Sequence, residues 1–391
     1  MKIAWASNAP WAPTGYGQQT AQMLPRLQAA GHDVAAIANY GLYGSVLEWE
    51  GVKVYPAGSD WSNDTIPAHA FHHFNGDPGL LIALYDAWTL RNPVYAEMNM
   101  AVWVPIDHVP APPMVAAHFQ DHGSTPIAMS RFGEKQLRAY GLNPLYAPHG
   151  IDTKVFTPTP TAEAKKILGL PADKFLVGMV STNNSSPIIR KAYPEAFAAF
   201  TMFNHAHDDT LLYVHAHNRA RLNGADLTSL ANGRGIQPES MLFVDEYRYL
   251  SGGISQRELA LLYSAFDVLL FPSMGEGFGI PAIEAQACGT PVIVTDFSAQ
   301  TELVAPGAGF LVGSQPFWDT AQNADFCIPF IEEIHQALEF AYQNRDMLEE
   351  AGPKARAFAE LYDADRVFSE YWVPVLASLE GDLPSVEPIV L

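Results

Sequence analysis

The run Pro272-Ser273-Met274-Gly275-Glu276-Gly277-Phe278-Gly279-Ile280-Pro281-Ala282-Ile283-Glu284-Ala285 holds two carboxylates eight positions apart, the first in a glycine-rich turn. The apolar stretch Phe266-Asp267-Val268-Leu269-Leu270-Phe271 before it reads as a buried strand. Strand, glycine turn and helix start therefore follow one another. That order aims backbone N–H groups and the positive end of a helix dipole at one spot, which suits a phosphate. Eight residues span about 2.2 helical turns, so Glu276 and Glu284 are expected near one face. A carboxylate beside a phosphate cradle does not bind the phosphate. It accepts hydrogen bonds from neighbouring hydroxyls, as on a ribose or a sugar ring.

Composition narrows the class. A length of 391 residues calls for two domains rather than one. No apolar run approaches the roughly 20 residues of a membrane span. Met1-Lys2 leads straight into Ile3-Ala4-Trp5-Ala6, without the basic and apolar parts of a signal peptide. Cys288 and Cys327 are the only cysteines, which speaks against a disulfide framework and for a reducing compartment, the cytoplasm. The formal net charge is −20, from 22 Lys and Arg against 42 Asp and Glu. Docking on duplex nucleic acid or an anionic membrane is disfavoured by that sign, while a local basic pocket for one diphosphate stays compatible with it.

Short apolar runs alternate with helical stretches through both halves, the pattern of parallel α/β sheets. Strands are expected at Ile3–Ala6, Val34–Ala38, Leu80–Tyr85 and Ala101–Pro105, with a helix from Gln18 to Ala30 ended by Gly31. The second half repeats the alternation near Leu176–Ser181, Leu211–His215, Met241–Val244, Val268–Phe271 and Pro291–Thr295. Helices intervene at about 190–206, 255–265 and 279–288, and Phe326 to Leu379 reads as successive helices. Pro and Thr alternate without periodicity in Ile151–Pro160, which marks the join. Two doubly wound domains facing a central cleft follow, with ligands at the carboxyl ends of strands.

The E-x7-E arrangement with its Gly-Phe-Gly turn resembles the signature of retaining GT-B glycosyltransferases of family 4, the glycosyl transferases group 1. Other pieces stand in the family's order: Gly31-His32-Asp33-Val34, Pro148-His149-Gly150-Ile151-Asp152, Arg190-Lys191 opening the second domain's first helix, and Ala287-Cys288-Gly289-Thr290-Pro291-Val292. The resemblance implies a Rossmann-like acceptor domain over 1–155 and a nucleotide-sugar-binding domain over 156–367. A C-terminal helix at about 368–391 packs back on the first. It implies transfer of a sugar from a nucleotide-diphosphate-sugar, UDP- or GDP-linked, to a hydroxyl acceptor. No cofactor and no metal are expected.

For such a donor the hardest task is stabilising the leaving diphosphate, and Arg190 with Lys191 suits it. The loop Asn183-Asn184-Ser185-Ser186 departs from the family's commoner Gly-Arg opening. By resemblance Glu276 meets the donor sugar's hydroxyls and Glu284 the ribose, while Gly277, Phe278, Gly279 and Ile280 present amides to sugar and phosphate oxygens. Gly15-Tyr16-Gly17, read as a loop after strand one, lets backbone approach the diphosphate, and Tyr16 faces the acceptor. Asp107 and His108 end a strand where the family often places a histidine near the transferred sugar. Asp86 and Trp88 end the preceding strand and shape the acceptor pocket, and Tyr247 lies where relatives hold the base.

Plainer roles stay open beside these: a helix-capping Glu276, a surface Glu284, solvated cations at 190–191, a flexible loop at 15–17 and a surface pair at 107–108. His69, His72 and His73 have metal-like spacing but are read as part of a loop region. A glycoside hydrolase also uses two carboxylates, but both would not come from one short segment beside a phosphate-shaped turn. A nucleotide-sugar epimerase of the same fold and a non-catalytic sugar-nucleotide-binding module are the remaining alternatives.

Overall fold

The structure, a computed structural model, describes residues 1–184, 188–219 and 224–381. Ser185 and Ser186, and the last ten residues of the expected 368–391 helix, lie outside the described residues. The chain divides into two compact units. One is Met1–Gly150 with Thr320–Ala324 and the chain from Ala364; the other is Ile151–Asp319 with Asp325–Asp363.

The first unit is built on β1 (Lys2–Ser7), β2 (Asp33–Ala38), β3 (Leu47–Trp49), β4 (Val52–Tyr55), β5 (Gly79–Leu84), β6 (Met100–Val104), β7 (Thr125–Ala128) and β8 (Leu145–Tyr146). They run in the order β3-β4-β2-β1-β5-β6-β7-β8. β3 pairs antiparallel with β4, and β4-β2-β1-β5-β6-β7-β8 pair parallel. The second unit holds β9 (Phe175–Val180), β10 (Thr210–His215), β11 (Met241–Phe243), β12 (Val268–Phe271), β13 (Val292–Thr295) and β14 (Gly309–Val312). These form a parallel sheet in the order β11-β10-β9-β12-β13-β14. The central strands are buried throughout, as parallel strands covered by crossover helices must be.

Each sheet reverses its winding beside its first strand, between β1 and β5 in one unit and between β9 and β12 in the other. Successive crossovers leave to opposite faces there, so the loops beyond those strand ends part and open a crevice. The loop ending β9 carries Arg190 and Lys191, and the one ending β12 carries Glu276.

The structure departs from the expected elements in several places. β3, β4, β7, β8 and β14 have no counterpart among the expected strands; at two to four residues each they are too short to show a period, and pairing decides them. His69, His72 and His73 lie on a helix, Ile66–Phe74, rather than in a loop. Its Pro67 sits in the first turn, where proline fits, and Asn75 closes it in the left-handed conformation. Phe326 begins no helix: β15 (Ser314–Asp319) pairs with β16 (Ala324–Pro329) before the helices start at Ile331. Phe326 packs with Met274 and Ala192, a tertiary contact that local propensity does not encode. Arg190 and Lys191 occupy a turn ahead of the helix Tyr193–Ala206, which is not the second unit's first helix, since Thr161–Leu168 precedes it.

The helix Val373–Gly381 follows a π-helical turn over Phe368–Trp372. Trp372 is fully buried in the first unit, with ring centroids 5.7 Å from Trp5 and 4.8 Å from Trp103. Its truncation leaves a cavity that a rigid strand and its neighbours cannot fill. Trp372→Ala should destabilise this unit by about 3–5 kcal/mol. Urea unfolding followed by circular dichroism reads the shift, and an unmoved midpoint would show that the three rings do not anchor the segment.

Candidate active site

The site in the second unit begins with a turn that only glycine makes easily. Gly279 has φ +109° and is the N-cap of the helix Ile280–Ala287. Glu276 therefore lies outside the helix, and the helical spacing that was expected to align it with Glu284 does not apply. The two carboxylates instead face different partners. Glu276 is buried; its side chain takes an ion pair from Lys191 Nζ and a second from Arg190 Nη1 at 3.3 Å. Glu284 is buried on the helix and accepts a hydrogen bond from the Tyr263 hydroxyl at 2.8 Å.

Backbone bonds hold the two loops in register. Met274 N–H donates to Arg190 O at 2.8 Å, and the Arg190 guanidinium donates to Gly275 O at 2.6 Å. Glu276 N–H donates to Ser298 Oγ at 2.9 Å, and Ser298 itself has φ +56°. Gln300 Nε2 donates to Ser273 O at 2.9 Å. Asn183 donates to His217 O at 3.0 Å and Ala225 O at 2.8 Å, and a small cavity lies between Asn183, Asn184, Tyr193 and the two cations. Spacing could not reveal Tyr263, Asn183, Ser298 or Gln300 as parts of the site. Only the positions of Asn183 and Ser298, just beyond the carboxyl ends of β9 and β13, carried a signal.

The carboxylates differ in charge as well as in partners. Burial pushes the Glu276 carboxyl up, but Lys191 and then Arg190 outweigh it and hold it below its usual range. Burial raises the Glu284 carboxyl to about 7, with the Tyr263 hydrogen bond opposing the rise.

Other residues near the strand ends of this unit differ in setting. Gly277, Phe278, Gly279 and Ile280 are all buried, and the Phe278 ring packs on Tyr362 at 5.7 Å. Tyr247 is 79% exposed on the short helix Glu246–Leu250. His215 ends β10 and His217 lies beyond it, both against the Tyr249 ring.

In the first unit the expected residues stand at strand ends. Gly15, Tyr16 and Gly17 do not form a loop; they open the helix Gly15–Ala29, capped by Thr14, whose Oγ1 accepts from Gly17 N–H at 3.0 Å. A Cβ on Gly17 would lie 2.3 Å from Ala12 O, so the tight loop over the helix start requires glycine there. Asp86 and Trp88 follow β5, and Asp107 and His108 follow β6. His108 is buried with Nδ1 2.7 Å from Asp107 Oδ1. Trp88 meets Trp61 edge-on at 6.4 Å.

Residues 248–324 match the family described as Glycosyl transferases group 1. A D-inositol 3-phosphate glycosyltransferase of Arthrobacter sp. (strain FB24) is 31% identical over 182 residues, 45% of this chain and 39% of that protein. The protein of the same name from Stackebrandtia nassauensis is 33% identical over 184 residues, covering 46% and 39%. The match thus spans less than half the length of these curated relatives. Among solved structures, the sucrose-phosphate synthase of Thermosynechococcus elongatus superposes with a TM-score of 0.74 at 20% identity, covering 97% of this chain and 100% of that one. Anabaena Alr3699/HepE in complex with UDP-glucose gives 0.70 at 15% identity, covering 97% and 100%. The two Rossmann-like units are those of the GT-B fold. Among the described residues no helix is long and apolar enough to cross a membrane.

The raised Glu284 carboxyl makes stability depend on pH. From its ordinary 4.5 up to about 7 the folded protein keeps a proton that the unfolded chain has lost, so stability falls as pH rises through that window. Glu284→Gln removes the fall, and the variant should gain on the parent protein by up to roughly 3 kcal/mol between pH 5 and pH 8. Melting temperatures across that range measure it; parallel profiles for both proteins would show that this carboxyl titrates normally.

Proposed function

We propose that this chain, whose residues 248–324 carry the group 1 glycosyltransferase match on a GT-B fold, transfers a sugar from a nucleotide-diphosphate-sugar to a hydroxyl acceptor with retention of configuration. One observation carries the reading: Lys191 and Arg190 converge on Glu276 where the second sheet reverses its winding. Two cations beside a helix start suit a diphosphate, and the hydroxyl-seeking carboxylate sits among them. A UDP-sugar is supported by the Anabaena protein of the same fold solved with UDP-glucose. A GDP-sugar is the alternative donor.

Without donor, Glu276 supplies the counter-charge that two largely buried cations need. An arriving diphosphate takes over Lys191 and Arg190, and Glu276 turns to the sugar's hydroxyls. The acceptor hydroxyl attacks the anomeric carbon on the face the diphosphate leaves, the carbon–oxygen bond to phosphate breaks, and a leaving phosphate oxygen receives the proton. The protein's part is positioning and charge stabilisation. Arg190 and Lys191 give the charge that a metal ion would otherwise supply, so transfer is metal-independent in this reading. The backbone of Gly277–Ile280 and Glu284 hold phosphate oxygens and ribose. A cytoplasmic setting accords with Cys288 and Cys327, both free and buried.

Lys191→Ala should lower nucleotide diphosphate release from the donor by about a hundred- to a thousandfold. An unchanged rate in that variant removes the diphosphate assignment, and an isomerised sugar without transfer would identify an epimerase. In Glu276→Ala turnover should be lost, while nucleotide diphosphate binds as tightly as before or tighter, because the competing carboxylate is gone. Calorimetry separates the two effects; abolished nucleotide binding would mean that Glu276 holds the nucleotide instead.

A further inference from the structure

The loops at the carboxyl ends of β1, β2, β4 and β5 are tied into one surface of the first unit. Trp11 Nε1 donates to Gly41 O at 2.7 Å, and Ala57 N–H to Leu42 O at 2.9 Å. Asn63 Nδ2 donates to Thr89 O at 2.7 Å, and the Tyr85 hydroxyl to Trp61 O at 3.3 Å. Strand order puts these loops side by side. Upon them stand aromatic rings that water reaches: Trp11 at 40% exposure, Tyr40 at 49%, Tyr43 at 68% and Trp61 at 48%, with Trp88 against the last. Exposed aromatic rings gathered on adjoining loops mark binding surfaces.

Backbone strain is stored at the same place. Asp60, Trp61 and Ser62 have φ of +45°, +59° and +62°, a left-handed run that non-glycine residues avoid. Asp64 holds it by accepting from Ser59 N–H at 2.9 Å and Ser59 Oγ at 2.8 Å. The Trp61 ring on this turn stands half in solvent.

The charge of this surface is acidic. Residues 8–14, 39–46, 56–65 and 85–92 contain one cation, Arg91, against Asp60, Asp64 and Asp86. Arg91 is itself paired with Asp60 at 2.6 Å. A phosphorylated acceptor such as an inositol phosphate would meet carboxylates where it needs cations. An anionic membrane would be repelled in the same way. A neutral sugar fits on both counts: its C–H face stacks on indole and phenol rings, and its hydroxyls donate to carboxylates at the rim.

We propose that Trp11, Tyr40, Tyr43 and Trp61 form the acceptor platform and that the acceptor is an uncharged saccharide. This rests on the glycosyltransferase reading and departs from the acceptor in the relatives' name. The test applies labelled protein to an array of neutral and anionic glycans, with D-inositol 3-phosphate binding read by calorimetry. Neutral glycans should bind, about tenfold more weakly to Trp61→Ala or Tyr43→Ala, as loss of one stacked ring implies. Trp61→Phe and Tyr43→Phe should restore binding, since each keeps a ring, and circular dichroism checks that every variant is folded. Binding only to D-inositol 3-phosphate or anionic glycans, binding to no glycan, or neutral binding indifferent to both alanine variants overturns the platform. Nucleotide diphosphate release from UDP-glucose and GDP-mannose by the unaltered protein is measured alongside. Its failure with glycan binding intact would sink the donor reading alone.

Discussion

Lys191 and Arg190 cannot be left without a counter-charge where they stand. Both are withdrawn from water, Lys191 almost wholly, and a buried cation without a partner costs several kcal/mol. Glu276 meets that demand, and its own burial is tolerable for the same reason. The turn that carries it must consequently stay close to the loop after β9. The bonds from Met274 N–H to Arg190 O and from Arg190 to Gly275 O keep it there. A site built on mutual charge compensation is ready for a dianion, because a diphosphate can replace the carboxylate without exposing either cation to an apolar surrounding.

Neighbouring structure in the second unit maintains this arrangement. Gly279 allows the chain to turn into the helix, and Ser298 receives the Glu276 amide. The pair β15 and β16 braces the loop from another side. Cys327 N–H donates to Met274 O at 3.1 Å, and Phe326 packs with Met274 and Ala192, next to Lys191. Glu284, one turn into the helix, is set apart by its Tyr263 partner, so two like residues hold opposite protonation tendencies within one segment. Environment, not residue type, divides their work.

The first unit repeats the winding but not the chemistry. Its strand ends carry aromatic rings and carboxylates where the second unit carries cations, although both sheets open at the same topological point. A crevice at reversed winding is a consequence of right-handed crossovers and selects no ligand. What lines it does.

Much of this was readable along the chain. The long, fully apolar strands, the glycine turn and the two glutamates are local signals, because a buried parallel strand needs a run of apolar residues and a left-handed turn needs glycine. They identified the α/β class and the segment that matters. Helical spacing misjudged Glu276 and Glu284, since the helix starts only at Ile280 and the turn sets its own direction. The helix over Ile66–Phe74 was hidden behind residues that break helices in their middle but suit their ends. The pairing of β4, β7, β8 and β14, the Tyr263–Glu284 bond and the bracing of Met274 by Phe326 and Cys327 depend on segments well separated in the chain, whereas β3 and β4 form a local hairpin across Glu50-Gly51. Contacts of that kind come from packing, which no local pattern records, so which cation meets which carboxylate was settled only when the chain had folded.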